Sequence, residues 1–503
     1  QSPGNSKRDN LPSSPQLELS PVSGINRKKY LASELSPFEE FRKGWSQLLA
    51  WVYANSYGVG MSNVGYQWLY GELRGHQHLL VERFFDFPGE PASLESGRPL
   101  AEFPVIAVSI PFELDGLNFL GMLARAGIPL FSEKRGRTPI VIAGGDAVTL
   151  NPAPWAPFFD ALFLGDGESF AAEFPKILAN SPPGMVEKDS FLEATSRIPG
   201  CYVPPGKLQP PAKSRPENPC YSPILTSFGH FRNMFLVEIQ RGCAFKCAFC
   251  ASSWLGDPFH NFSAESVLRV YDDFGQSASR AGLVGSAISE HPALEGLLDG
   301  FAERNVRVNL SSLRLDRISE RLLDRLSADG ARTLTFAPET ASPELARKIG
   351  KWIPPEKIAN ILPTLENSGI RELKLYWIIG LPGENESDLR AIANALELLR
   401  ERSNIPITCS VNPFIPKPHT RFSDEQMLPH SELKRRFKVL KSEVEGIEGV
   451  SLEVNYSRRT RLSALLSNAG RHLSPALAEI ALGGGIRFTL KKYGFDIDAA
   501  IGG

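Results

Sequence analysis

Cysteine is scarce in this chain: six residues in 503 are too few for a disulfide framework to hold so long a polypeptide. An excess of one charge is missing too. Lys and Arg number 55 against 56 Asp and Glu, a formal net charge of −1, so there is no bulk electrostatic footprint for nucleic acid or an anionic membrane, and no clear nucleic-acid signal. Apolar runs are short. The longest, Val105–Leu114 and Leu373–Leu381, contain polar residues and stop far below the ~20 residues of a membrane span. The amino-terminal text lacks the apolar core of a signal peptide, and its Ser/Pro-rich composition predicts a disordered leader over residues 1–40. With three of the cysteines crowded into eight residues, their usage points to metal ligation in a reducing, cytoplasmic compartment.

What is present is globular text, 42% hydrophobic and 22% charged, long enough for about three domains of ~150 residues. Short apolar runs at Leu49–Ala54, Leu79–Phe84, Val105–Ile110, Ile140–Ala143 and Ala161–Leu164 alternate with amphipathic stretches at Val64–Arg74, Leu117–Ala126 and Ser169–Leu178. That pattern predicts a Rossmann-like (flavodoxin-like) parallel sheet domain over 41–180, with Gly-rich loops at the strand carboxyl ends where such sheets bind ligands. Residues 181–233 are rich in Pro and read as a linker that wraps rather than folds. Strand and helix signals then repeat from Phe235 to Phe414, predicting a partial or full βα barrel over 234–422, followed by a small, mainly helical extension over 423–503. The fold class expected is therefore α/β.

Directly after the predicted strand Phe235–Gln240 stands Arg241-Gly242-Cys243-Ala244-Phe245-Lys246-Cys247-Ala248-Phe249-Cys250, a C-x3-C-x2-C spacing. Three thiolates this close can wrap one metal centre. A structural zinc would want a fourth ligand, for which His260 is the nearest candidate. A [4Fe-4S] cluster held by three thiolates instead leaves one iron open to chemistry.

This loop after the first strand of a βα barrel resembles that of the radical S-adenosylmethionine (SAM) enzymes, over roughly Phe235–Phe422. The resemblance implies that Cys243, Cys247 and Cys250 ligate a [4Fe-4S] cluster whose open iron chelates SAM, and that one electron, from an external donor such as flavodoxin or ferredoxin, splits the sulfonium into methionine and a 5′-deoxyadenosyl radical. It further implies SAM contacts at Phe249 beside the adenine, at Glu339 on the ribose, at Lys351 on the carboxylate and at Gly380, where the backbone approaches adenine. The usual Gly-Gly-Glu after the second strand is replaced by Gly285-Ser286-Ala287, which leaves Ser286 as the candidate for the SAM amino group. His419, at the sixth strand end, is a candidate substrate contact.

The amino-terminal domain resembles the cobalamin-binding domain of class B radical SAM methyltransferases and their relatives. Candidate cobalamin contacts are Ser62, Ser109, Gly144, Gly145, Thr149 and Gly165, small residues against which a flat macrocycle can lie. The Asp-x-His-x-x-Gly of many such domains is replaced by Gly60-Met61-Ser62-Asn63-Val64-Gly65, so no histidine is offered to cobalt there. Methylthiotransferases, which carry a second cluster on three amino-terminal cysteines, are disfavoured because no cysteine precedes Cys201; Cys201, Cys220 and Cys409 leave an auxiliary cluster open. The favoured reading is a cobalamin-dependent radical SAM methyltransferase acting on an unactivated carbon of a small-molecule or peptide substrate. The alternatives are a cobalamin-independent radical SAM enzyme with a scaffold Rossmann domain, performing hydrogen abstraction, rearrangement or carbon-sulfur chemistry, and a non-catalytic iron-sulfur or zinc binding module. The basic group Arg458-Arg459-Thr460-Arg461, with Arg471-His472 beyond, is a candidate for holding a phosphate or carboxylate.

Overall fold

The computed structural model describes residues 27–38, 45–182, 184–310, 313–314, 318 and 320–502. Strands β1 (Gln47–Tyr53), β2 (Leu79–Phe85), β3 (Val105–Ser109), β4 (Ile140–Gly144), β5 (Ala161–Phe163) and β6 (Cys201–Tyr202) form one sheet in the order β2-β1-β3-β4-β5-β6. The pairs are parallel up to β5, and β6 is antiparallel. β1 is buried along nearly its whole length because both faces of a parallel sheet are covered, which is why Gln-Leu-Leu-Ala-Trp-Val-Tyr reads as a continuous apolar run. One face, with Trp51, Ala107 and Ile142, packs on helices Val64–Gly75 and Glu168–Ala179; the other, with Val52, Ile106 and Val141, merges into a core shared with the rest of the molecule.

The second half carries two further parallel sheets. One holds β7 (Phe235–Glu238), β8 (Arg280–Val284) and β9 (Arg307–Leu310) in the order β9-β8-β7; the other runs β10 (Thr333–Glu339), β11 (Glu372–Ile379), β12 (Ile407–Pro413) and β13 (Val450–Val454) in chain order. Helices such as Ala264–Phe274 and Glu386–Arg402 cover their outer faces. In β11, Leu373, Leu375, Trp377 and Ile379 point into this core while Lys374, Tyr376 and Ile378 stay half-exposed on the inner face. The expected α/β class, with a parallel sheet, a second βα unit and a mainly helical end, is the fold observed.

Two expectations change. Residues 1–26 and 39–40 of the expected leader lie outside the described residues, but 27–38 are folded: Arg27–Leu31 is a helix and Glu34–Leu35 pairs with Leu225–Thr226. Residues 181–233 do not merely wrap, since they supply helix Lys188–Thr195 and strand β6. The carboxy-terminal extension is mainly helical as expected, and within it Val450–Val454 adds β13 beside β12. Each of these elements is short and gains its order from a distant partner, which local composition does not reveal.

Glu34 is held by a buried pair. Arg83 grips it through both guanidinium nitrogens at 2.9 and 2.7 Å and meets Glu95 at 2.7 Å, with side-chain exposures of 3% for Arg83 and 4% for Glu34. Removing one partner of a buried pair strands the other charge. Arg83→Met is therefore expected to lower stability by about 3–5 kcal/mol in a denaturant titration.

Candidate active site between the sheets

The cysteine loop is closed at its base by two glycines. Gly242, at φ +72°, faces Gly256 so closely that a Cβ on it would lie 2.1 Å from the Gly256 carbonyl oxygen. Just outside, Gln240–Arg241 pairs with His260–Asn261. The middle of the loop is fixed through Ala248, whose N–H donates to the Ile349 carbonyl (2.8 Å) and whose carbonyl accepts from Phe422 (3.0 Å). The three cysteines form no disulfide and are half-buried. Burial pushes the Cys243 and Cys247 thiols up, while Arg314 and Lys351 pull them down. Two cations beside three thiols suit a donor set that must bind as thiolates, so these residues fit an anionic iron-sulfur cluster. Among the described residues no three His, Cys, Asp or Glu side chains are gathered for a single ion. The charges acting on His260 are those of Arg215, Arg241 and Glu238.

Phe249 packs with Ala248, Leu345, Ile349 and Phe422 under the loop. Glu339 ends β10 at a bulge with φ +68°, uncommon for a side chain-bearing residue, and its buried carboxylate lies 2.8 Å from the Lys351 ammonium. Burial raises the Glu339 carboxyl, and Lys351 opposes this. Glu339, Lys351 and the cysteine loop are thus brought together. Gly380 lies between Ile378 and Leu381, which belong to the same cluster as Ala248 and Phe249; it turns at φ +86°, donates to Glu384 at 2.9 Å, and its missing Cβ faces Leu428 and Leu433.

A cavity of about 630 Å³ lies where the carboxyl ends of the first sheet meet β7 and β8. Ser62, Ser109, Gly144, Gly145, Gly165 and Ser286 all line it; Thr149 does not, but its hydroxyl accepts from the Gly165 N–H at 2.9 Å. The cavity continues past Trp51, Ala107 and Ile142, beneath the helix bearing Tyr66 and Leu69. Its narrow places are glycines: at Gly165, with φ +91°, a Cβ would lie 2.1 Å from the Ala212 carbonyl oxygen. A slot walled by small residues and aromatic faces fits a flat macrocycle with a tail between sheet and helices.

The sequence reading missed the charges here. Arg241 donates to Glu168 (2.6 Å), Glu238 (2.7 Å) and Ser214 (3.1 Å), joining the first sheet's last Gly-rich loop to the cysteine loop. The acidic residues within Gly165-Asp166-Gly167-Glu168 were the available signal. Asp146 opens on the cavity and keeps contact with solvent there, yet the protein crowded round it, and then Asp166, raise its carboxyl to about 6.

The remaining candidates have structural tasks. His419, at φ +62°, stacks on Trp254 with ring centroids 3.7 Å apart, and its Nε2 lies 3.3 Å from the Leu150 carbonyl. Arg461 is buried and donates to the carbonyls of Leu428, Ile497 and Ala499, so it is not open to a ligand, whereas Arg458 and Arg459 are exposed. His472 stacks on Phe495. Cys201, Cys220 and Cys409 are buried in strand β6, beside Arg241 and in strand β12.

Because the folded Asp146 carboxyl holds its proton up to about pH 6 against an ordinary value of 3.8, its ionisation weakens the fold as pH rises through that window. Asp146→Asn is expected to raise the melting temperature above about pH 6, the gain fading as pH falls toward 3.8.

Comparisons with known proteins agree with this layout. Residues 65–204 match the family model described as "Radical SAM proteins, N-terminal", and residues 237–396 match "Radical SAM superfamily". An uncharacterised protein of Methanocaldococcus jannaschii is 26% identical over 436 residues, 85% of this chain and 90% of that one. An uncharacterised methyltransferase of Pyrococcus horikoshii is 24% identical over half of this chain and 56% of its own length. Among solved structures, the cobalamin-dependent S-adenosylmethionine radical enzyme OxsB, with aqua-cobalamin and S-adenosylmethionine bound, superposes with a TM-score of 0.50 at 14% identity, covering 82% of this chain and 58% of that one. That likeness is one of fold. Among the described residues no helix is long and apolar enough to cross a membrane. With both models matched in order and the three-cysteine loop following β7, the chain belongs to the radical SAM superfamily.

Proposed function

We propose that this protein is a cobalamin-dependent radical SAM methyltransferase acting on an unactivated carbon. The observation that carries the reading is the 630 Å³ cavity, which joins the Gly-rich strand ends of the first sheet to the segment leading into the cysteine loop. The cluster, when bound, supplies the electron that cleaves SAM to a 5′-deoxyadenosyl radical, and cobalamin supplies the methyl group. Cys243, Cys247 and Cys250 would hold the cluster. Lys351, released from Glu339, would meet the SAM carboxylate, leaving Glu339 for the ribose, with Phe249 and Gly380 near the adenine and Ser286 at the amino group. Ser62, Ser109, Gly144, Gly145 and Gly165 would carry the macrocycle, with Thr149 holding Gly165 in place. The loop Gly60–Gly65 offers no imidazole, and the Asn63 side chain is already engaged, accepting from the Tyr66 N–H at 2.8 Å. The fold likeness to OxsB and the methyltransferase named among the relatives support the reading.

Protein expressed with cobalamin and purified without oxygen is expected to hold about four irons and one cobalt per chain, and to form 5′-deoxyadenosine from SAM under dithionite. Cys243→Ala, Cys247→Ala and Cys250→Ala should each abolish that product. Ala107→Leu, which fills the slot beneath the helix, should retain iron and lose cobalt. Iron with SAM cleavage but without cobalt in the unaltered protein moves the reading to a cobalamin-independent radical enzyme. Zinc without iron overturns it in favour of a binding module.

A further inference from the structure

A second chamber of about 300 Å³ lies on the inner face of β7, β8 and β9. Met234, Leu236, Val284 and Leu310 make its walls apolar, while His230, Arg232, Arg280 and Asn309 supply its polar groups. Phe231, Leu236 and Val284 line this chamber and the larger cavity alike, so the two adjoin. The loop over it is tied to the amino-terminal domain by the His230 N–H, which donates to Ser62 Oγ at 2.9 Å.

The charge balance of this chamber is one-sided. Among the described residues no Asp or Glu lines it. Arg280 is half-buried and, among the described residues, donates to a neutral amide alone, Asn309 Oδ1, at 3.0 Å. Several enclosed arginines are answered by carboxylates, Arg83 by Glu34, Arg135 by Asp160, Arg241 by Glu168 and Arg436 by Glu384, and the buried Arg461 by three backbone carbonyls. A guanidinium kept against apolar walls without a counter-charge forgoes the compensation that normally offsets its desolvation, and offers that strength to an entering anion. The wall geometry also depends on a missing side chain, since a Cβ at Gly282 would lie 2.6 Å from Leu236 Cδ2 and 2.8 Å from Met234 Sδ.

Resting on the radical SAM reading of the barrel, we propose that this chamber binds the anionic group, carboxylate or phosphate, of an elongated and otherwise apolar substrate, with Arg280 and Arg232 as its counter-charges. Arg280 precedes Val284, at the junction of the two cavities, by four residues of extended strand, which is ~13 Å. A substrate anchored at Arg280 and reaching that junction must therefore span on the order of 10 Å.

The test is titration calorimetry of the anaerobically reconstituted full-length protein with octanoate, octyl phosphate and octanol. Saturable binding of an anion, with octanol at least ~10-fold weaker, is expected, and the tighter of the two anions identifies the head group. Arg280→Gln should weaken that anion about 10- to 100-fold, with Arg280→Lys recovering part of the loss. If Arg280→Gln fails to fold, Arg232→Gln on the exposed loop decides: weaker anion binding supports the proposal, and unchanged binding overturns it. Octanol binding as tightly as the anions, no saturable anion binding, or a folded Arg280→Gln protein equal to the parent also overturns it. The same preparation is assayed for 5′-deoxyadenosine from SAM. Its absence overturns the radical SAM reading itself, whereas its presence without anion preference overturns the chamber alone.

Discussion

Arg241 stands two residues before the first cysteine and answers carboxylates from both halves of the chain, Glu238 at the end of β7 and Glu168 on the last Gly-rich loop of the first sheet. Ser214 and Cys220, from the intervening segment, complete its surroundings. Without this guanidinium, Asp166, Glu168 and Glu238 would confront one another in a partly desolvated space, a like-charge arrangement that the fold could not hold closed. The position of the cysteine loop over the cavity therefore depends on one cation. The close approach of Gly242 to Gly256 then makes the loop narrow enough to turn within that space.

A second junction lies on the far side. Glu113, at the start of helix Glu113–Arg125, accepts from Lys417, from Ser467 at 2.6 Å and from Ser463 at 2.9 Å, so a helix of the first domain, the end of the barrel and a carboxy-terminal helix meet on one buried carboxylate. Asn151 reinforces it by donating to the carbonyls of Leu466 and Ala469, both at 2.9 Å. The shared hydrophobic core runs through all three parts. The carboxy-terminal helices are a clamp that holds the two sheets at a fixed separation, and a cavity between sheets needs such a clamp to keep its width. Arg461, bonded to three carbonyls, fastens the chain end to that clamp.

Several residues that resembled ligand contacts also carry structural tasks. In Thr149-Leu150-Asn151-Pro152, Thr149 braces Gly165 from behind and Asn151 ties the clamp, so the segment shapes the cavity without lining it. Gly380 owes its left-handed turn to the packing of Leu428 and Leu433, with Glu384 satisfying its N–H. His419 serves as a lid on Trp254, just beyond the cysteines. A small or polar residue at a strand end can serve a ligand, a turn or a neighbouring backbone, and the local text is the same for each.

Much was readable from the linear text, because periodicity and spacing are local properties. The parallel strands of the first sheet, the βα alternation after Phe235, the C-x3-C-x2-C loop and the glycines at Gly144, Gly145 and Gly165 all follow from residues within a few positions of one another. The folding of residues 27–38, the antiparallel edge strand β6 and the added strand β13 do not, since each is a short segment ordered by a partner far away in the chain. The charges of the site were equally hidden: Arg241 with Glu168 spans 73 residues, and Glu113 with Ser467 spans 354. The sequence by itself determined which chemistry the cysteine loop can support, because thiolate spacing is set by covalent neighbours. Only the tertiary structure decided where that loop faces, which carboxylates carry counter-charges and which arginines face none, because electrostatic pairing depends on distance in space.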